Sequence, residues 1–152
     1  MVTTGSGNKP NDDYYTPPEV FEALGLRFDL DVCAPHGGIS WIPADRHYTI
    51  DEDGLAQPWS GRVWMNPPFS NSTPWVDKWI EHANGIALVP TSRAQWWGRL
   101  WNSEAAIAHP VSTPMFRFVT PSGQRKNIYM PIVFAALGQE NTEALARLGR
   151  VR

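Results

Sequence analysis

The sequence predicts one α/β domain built on an open, mostly parallel sheet with an antiparallel edge toward its C-terminal end. Three observations predict it. Short β-prone runs at Phe28–Val32, Arg62–Met65 and Ile86–Val89 alternate with helical patterns through the first hundred residues. Strands separated by helices imply βαβ units and a parallel sheet. The first two runs break sharply, one into Pro35, Gly37 and Gly38 and the other into Asn66-Pro67-Pro68, as strand-end loops do. Beyond residue 104 the sequence is strand-rich, which fits antiparallel pairing.

The chain has 152 residues, enough for one compact domain and too few for two ordinary ones. With 42% hydrophobic and 18% charged residues, it has globular composition and not that of a disordered tail. The longest apolar runs, Ile86–Pro90 and Pro131–Leu137, are too short to span a bilayer. No charged-then-apolar signal peptide opens the chain. Cys33 is the sole cysteine, which excludes an internal disulfide and a cysteine-based zinc cage and suits a reducing cytoplasm.

In order along the chain, residues 1–13 carry almost no apolar content and read as a flexible leader, with residues 14–152 forming a single domain. Glu19–Leu24 has helical spacing, with Pro17 and Pro18 at the first turn and Gly25 as its stop. Phe28–Val32 is a strand, and Tyr48–Ile50 is a candidate short strand. Arg62–Met65 is the next strand. A helix runs from Pro74 to about Ala83 behind Ser72 or Thr73 as cap. Ile86–Val89 is a buried-type strand and Gln95–Trp101 a helix. Ala105–Ala108, Phe116–Val119 and Ile128–Leu137 read as strands, and Glu140–Leu148 as a terminal helix. An open α/β sheet places its ligand at the carboxyl ends of its strands. The loops Asp31–Gly38 and Asn66–Phe69 should therefore meet at one crevice.

Net charge is −2, divided unevenly. Residues 1–90 hold 5 Lys+Arg against 12 Asp+Glu, and residues 91–152 hold 8 against 3. An acidic half suits a cationic or hydroxyl-bearing ligand and a basic half suits a polyanion; chance and a basic tail would give the same split.

The most informative segment is Val63-Trp-Met-Asn-Pro-Pro-Phe69. Pro67 and Pro68 have fixed φ, and a residue that precedes a proline is pushed to extended backbone. Proline donates no backbone N–H, so the carbonyls here and the Asn66 side-chain oxygen form a donor-poor corner able to bind both hydrogens of an exocyclic NH2. Phe69 offers a flat face for a stacked base. The lone pair of such an amine is delocalised into its ring. Two acceptors on its N–H bonds favour a more tetrahedral nitrogen, an interaction that strengthens as charge develops. The plain alternative is a Pro-Pro turn with Asn66 as a local cap and Phe69 in the core.

With those residues in place, the sequence resembles a known family. Asn66-Pro67-Pro68-Phe69 is similar to the (Asp/Asn/Ser)-Pro-Pro-(Tyr/Phe/Trp) signature of S-adenosylmethionine-dependent amino methyltransferases. Tyr15-Thr16-Pro17, Phe28–Ala34, Tyr48-Thr49, Asp53-Gly-Leu55, Trp59 and Val63–Phe69 run in the order seen in phage-type DNA N6-adenine methyltransferases. The likeness extends through Leu88-Val-Pro90 and Trp96-Trp97, and more loosely to Pro131–Phe134. It implies a Rossmann-like S-adenosylmethionine methyltransferase fold of minimal size. It implies a methyl transfer to adenine N6 in DNA, flipped from a duplex or single-stranded, in the cytoplasm of a bacterial host.

Residue by residue, the resemblance implies that Asn66, Pro67, Pro68 and Phe69 bind the target adenine. Asp31, Cys33 and Ala34 fall in the first cofactor motif, and Tyr15, Thr16 and Pro17 in an element touching the methionine end of S-adenosylmethionine. Asp53 stands for an acidic contact to the adenosine part, and Asp45 is a candidate for the ribose hydroxyls. Two departures stand out. The first motif reads Asp-Val-Cys-Ala-Pro-His-Gly-Gly and not Phe-x-Gly-x-Gly, and the chain is shorter than methyltransferases with a separate recognition domain. The acidic first half suits a sulfonium and an ammonium, and Asp31 at a strand tip can receive the ammonium or simply cap a turn.

Cys33 and His36 lack the third group that a cysteine nucleophile needs, so Cys33 reads chiefly as a small packing residue. His36, His47, His82 and His109 show no metal spacing, and no metal is expected. Trp75 and Trp79, four apart, should face the core. Adjacent Trp96 and Trp97 cannot both do so, which leaves one at the surface beside Arg93 and Arg99, where a nucleotide or strand could stack. Arg117, Arg125 and Lys126 flank the turn Pro121–Gly123, a basic hairpin tip for phosphates or for solvent alone. Two alternatives remain beside DNA methylation: transfer to an RNA base or a protein glutamine amide, and a non-catalytic nucleic-acid-binding remnant of the fold.

Overall fold

A computed structural model describes residues 14–110, 117–126 and 131–151. The leader predicted for residues 1–13 lies outside them, as do position 116 and positions 128–130 of two predicted strands.

The sequence folds into an α/β layer structure on a seven-stranded mixed sheet. Helix α1 (Pro18–Leu24) opens with Pro18 in its first turn, where a missing N–H costs nothing. It stops at Gly25, whose φ of 65° admits the left-handed C-cap in which its N–H reaches Phe21 O. Strand β1 (Phe28–Asp31) follows, then β2 (Ala44–His47), β3 (Val63–Met65), helix α2 (Thr73–His82), β4 (Gly85–Pro90), helix α3 (Gln95–Trp101) and β5 (Ala106–Pro110). The hairpin strands β6 (Phe118–Val119) and β7 (Arg125–Lys126) form their own small ladder. The chain then returns to the main sheet as β8 (Ile132–Leu137), helix α4 (Gln139–Leu145) and β9 (Gly149–Val151).

The strand order is β2-β1-β3-β4-β8-β5-β9. The pairs β1–β2, β1–β3 and β3–β4 are parallel, and β4–β8, β5–β8 and β5–β9 are antiparallel. The predicted parallel first half and antiparallel edge are both present. The second strand is displaced from expectation: it occupies Ala44–His47, and Tyr48–Ile50 is irregular. Its side chains are mostly exposed, as befits an edge, so its sequence lacks the apolar signature by which a strand is read. The terminal helix is shorter than predicted, because Leu148 lies in a turn that feeds edge strand β9, which the sequence did not announce.

Each sheet face is covered by helices. Val20, Phe21 and Leu24 of α1 and Ala144 and Leu145 of α4 pack with Trp64, Ile86, Leu88 and Phe134. Trp75, Val76 and Trp79 of α2 and Trp96 and Leu100 of α3 pack with Val63, Met65, Ala87 and Val89 on the opposite face. Trp75 and Trp79 are thus core residues, as their spacing implied. The amides of Asp29 and Leu30 both reach Arg62 O, at 2.8 and 3.4 Å, which is a local bulge. It breaks the alternation, so Phe28 joins the first core layer and Leu30 the second. Strand alternation then sends Asp31 toward the α1 face, the face of its register partner Trp64.

Candidate active site

The chain runs from β1 outward to β2 and then crosses back to β3 on the other flank of β1. The order therefore reverses between β1 and β3, and the carboxyl ends of those two strands border a switch-point crevice. Asp31 ends β1, and Asn66 follows β3 immediately. Asp31 is opposite Trp64, and Asn66 is two residues beyond Trp64, so both predicted residues lie at the neighbouring carboxyl ends of β1 and β3.

Asp31 is buried and accepts the Cys33 backbone N–H at 3.2 Å. Burial is the dominant influence on its carboxyl and pushes its pKa above the ordinary value, since the anion has lost water. The strand tip is stitched to β2 by Tyr48 N–H to Asp31 O and Ala34 N–H to Tyr48 O, both 2.9 Å. Cys33 is buried beside it, and burial pushes its thiol up to about 11, a value that keeps it protonated and unreactive at neutral pH. This fits the packing reading of Cys33.

Asn66 is buried, and its Nδ2 donates to Thr16 Oγ1 at 3.1 Å. Thr16 is itself held by Trp41, whose Nε1 donates to Thr16 O at 2.8 Å. Tyr15 exchanges two backbone hydrogen bonds with Val119, 2.8 and 2.9 Å, which brings the β6–β7 hairpin against the same segment. Pro17 caps α1 and is buried. The predicted Tyr15-Thr16-Pro17 element therefore sits against the Asn-Pro-Pro corner.

Within that corner Pro67 is buried, and Pro68 and Phe69 are half-buried. Phe69 packs in part on the α1-face core. One expectation needs correcting. The Pro68 carbonyl does not face a ligand, because it accepts Asn71 N–H at 3.2 Å and the Ser72 hydroxyl at 3.0 Å. Of the two cap candidates, Ser72 and Thr73, Ser72 holds the N-cap position of α2 without a side-chain cap bond, and its hydroxyl turns back to the corner.

Asp53 lies in the loop after β2 with a left-handed φ of 57°, which Asp tolerates, and its carboxylate accepts Leu55 N–H. Its neighbour Gly54 lies so close to the β1 tip that a Cβ there would meet Val32 O at 2.1 Å. The Asp53 loop is thereby packed against the crevice. Lys78 fastens the far end of the loop by donating to Leu55 O and Gln57 O at 2.8 and 2.6 Å. Asp45 stands apart from this group. It is exposed, level with Asp29 and short of the strand tips, and bonded to Arg27 at 2.6 Å.

The predicted nucleic-acid residues divide in two. Trp96 is only 4% exposed and belongs to the core, while Trp97 is half-buried and Trp101, which was not singled out, is 58% exposed. Trp97 and Trp101 rings lie 6.2 Å apart along α3. Arg93 is exposed in the loop beyond β4, and Arg99 is bound to Asp77 of α2 through two hydrogen bonds. The predicted hairpin tip exists, closed by Gly123 N–H to Thr120 O at 2.8 Å with Gly123 at φ 86°. Arg117, Arg125 and Lys126 are exposed on it.

Sequence reading did not anticipate Trp41, Ser72 or Val119 as supports of this crevice. Trp41 and Val119 act through contacts with distant segments, which no local pattern marks, and Ser72 acts through its near neighbours Pro68 and Phe69.

A family model described as DNA N-6-adenine-methyltransferase (Dam) matches residues 4–126, most of the chain and both loops of the crevice. The chain belongs to the Dam family. The chain is similar to a DNA N-6-adenine-methyltransferase of Haemophilus phage HP1 (strain HP1c1), with 34% identity over 82 residues. That alignment covers 50% of this chain and 46% of the phage protein, so the chain spans about half the length of the curated relative it matches. No solved structure matches the chain. Among the described residues, no helix is long and apolar enough to cross a membrane.

Proposed function

We propose that this chain transfers a methyl group from S-adenosylmethionine to the N6 amino group of adenine in DNA. The observation that carries the reading is the Asn66-Pro67-Pro68-Phe69 corner at the end of β3, beside the buried Asp31 carboxylate at the end of β1. The strand order, with antiparallel β8 between β4 and β5, supports reading the sheet as a Rossmann-like methyltransferase sheet. Family membership supports adenine in DNA over an RNA base or a glutamine amide.

The donor set fits the cofactor. A buried carboxylate with a raised pKa is stabilised by a cationic partner, and the ammonium of S-adenosylmethionine is one. Asp31, with the backbone of Cys33 and Ala34, would hold the methionine end together with Tyr15, Thr16 and Pro17. Asp53 would take the adenosine end. When bound, the cofactor supplies a sulfonium methyl whose S–C bond breaks, with the electron pair staying on sulfur, as the new N6–C bond forms.

The remaining chemistry belongs to the protein. The Asn66 oxygen and the Pro67 carbonyl accept the two N6–H bonds, which concentrates the lone pair on nitrogen. Pro67 and Pro68 fix the corner, so little reorganisation is needed as positive charge grows on N6. Phe69 gives the adenine a stacking face. No strong base is required, because the proton leaves to water after alkylation. The displaced adenine must leave its stack to reach the corner.

The test is incubation with S-adenosylmethionine and mixed DNA, digestion to nucleosides and mass spectrometry for N6-methyladenine. Asn66→Ala should lower transfer by at least about 100-fold while cofactor binding by calorimetry survives. Transfer to RNA or to a glutamine-containing protein alone would move the substrate assignment. Absence of cofactor heat and of any thermal shift would favour the non-catalytic remnant.

A further inference from the structure

The hydroxyl of Thr16 makes a contact that neither family membership nor the resemblance assigns. It accepts a hydrogen bond from the Asn66 side-chain amide at 3.1 Å in a buried setting. We propose that Thr16 is a positioning residue that fixes which end of the Asn66 carboxamide faces the target amine. This rests on the reading of Asn66 as the N6-binding residue.

A carboxamide carries a donor end and an acceptor end of nearly equal shape. An amine with two N–H bonds to place needs the acceptor end. A buried amide that can rotate by half a turn spends part of its time offering NH2, which repels the substrate N–H. Thr16 removes that freedom, because its Oγ1 takes the NH2 end and leaves the oxygen as the group directed elsewhere. A hydroxyl can also donate, so the same position would serve an Asp in place of Asn66 by reversing the bond.

Thr16 is fit for this task because it is held from outside the bond it makes. Its backbone carbonyl is clamped by Trp41 Nε1 at 2.8 Å, and its neighbour Tyr15 is locked to Val119 by a pair of backbone hydrogen bonds. Pro17 and Pro18 follow directly and stiffen the chain into α1. Trp41 and the β6–β7 hairpin therefore hold the backbone of residues 15–16 that carries this hydroxyl. The rigidity of that support lets the Thr16 bond hold one orientation.

The experiment compares wild type, Thr16→Val and Thr16→Ser. Val keeps the shape and lacks the hydroxyl, while Ser keeps the hydroxyl. Turnover and KM for DNA are measured, with cofactor Kd by calorimetry and Tm by calorimetric melting. The expected result is a kcat about 10- to 100-fold lower for Thr16→Val. At saturating cofactor the DNA KM should stay within about two-fold, and Thr16→Ser should restore kcat. Asn66→Asp should keep activity with Thr16 present and lose it with Val. The Asn66 side-chain 15N–1H2 signals should show slowed solvent exchange in wild type and Thr16→Ser only.

Unimpaired kcat in Thr16→Val, or a defect confined to cofactor Kd, overturns the proposal and leaves Thr16 a cofactor contact alone. If wild type itself methylates nothing, the functional reading fails instead. The exchange measurement still decides whether Thr16 holds the amide.

Discussion

Arg125 of β7 grips Glu19 of α1 with two parallel hydrogen bonds, Nη1 to Oε2 at 2.9 Å and Nη2 to Oε1 at 2.8 Å. This pair and the Tyr15–Val119 bridge fasten the basic hairpin to the segment that supports Asn66. The Arg125 guanidinium holds the Glu19 carboxyl below the ordinary 4.5. A carboxyl lowered in the fold stabilises it above the ordinary value and loses that contribution as pH falls through the lowered one. Both side chains are about two-fifths exposed, so Glu19→Ala should cost under about 1 kcal/mol of stability. Its local effect should be larger. Amide exchange at Val119 should accelerate in Glu19→Ala, and a Glu19→Arg, Arg125→Glu double variant should restore protection. Unchanged Val119 exchange would remove the pair from any role in docking the hairpin.

With Arg125 committed to Glu19, the remaining cations on the hairpin are Arg117 and Lys126, both exposed. Each phosphate contact removed lowers the slope of log affinity against log salt by about 1. Arg117→Ala and Lys126→Ala should each reduce that slope for DNA, and Arg125→Ala should reduce it less. Equal effects from all three would mean that phosphate outcompetes Glu19.

Asp31 should set function against stability. Its raised carboxyl favours the fold below the ordinary value of 3.8 and loses that contribution as pH rises through the raised value. Above its ordinary value the buried carboxyl is a net cost to the fold, so Asp31→Asn should raise the Tm of the cofactor-free protein, with the advantage shrinking toward acid pH. The same variant should bind S-adenosylmethionine at least about ten-fold more weakly, because the ammonium loses its counter-charge. A lower Tm together with normal cofactor affinity would place the ammonium elsewhere.

Gly54 is predicted to be irreplaceable for a steric reason. A Cβ at this residue would lie 2.1 Å from Val32 O and 3.1 Å from the Trp75 ring, so backbone at the β1 tip must move. Gly54→Ala should destabilise by about 1–3 kcal/mol and weaken cofactor binding through the displaced Asp53 loop. A melt indistinguishable from wild type would show that the loop is not seated on the strand tip.

Cys33, buried with its thiol raised to about 11, should resist alkylation in the folded protein at neutral pH. Reaction with iodoacetamide should follow global unfolding in urea. Rapid modification of native protein, or loss of methyl transfer in Cys33→Ala beyond a few-fold, would reopen its chemistry.

Much of this protein is determined by local sequence alone. Pro18 and Gly25 bracket α1, Pro74 starts α2, the run at Phe28 alternates apolar residues with Asp, and the runs at Val63 and Ile86 are apolar because central strands are buried on both faces. The Asn-Pro-Pro-Phe corner is legible because proline stiffness and a missing N–H are properties of the residues themselves. Tertiary structure decided what those parts do together. The bulge at Asp29–Leu30 sets the face on which Asp31 emerges, and edge strand β2 is too polar for its own sequence to announce. Arg125 is committed to Glu19 over a separation of 106 residues. Thr16 reaches Asn66 across 50. Hydrogen-bond partners and strand registers join segments far apart in the chain, and no local window of residue types encodes a distance between such segments.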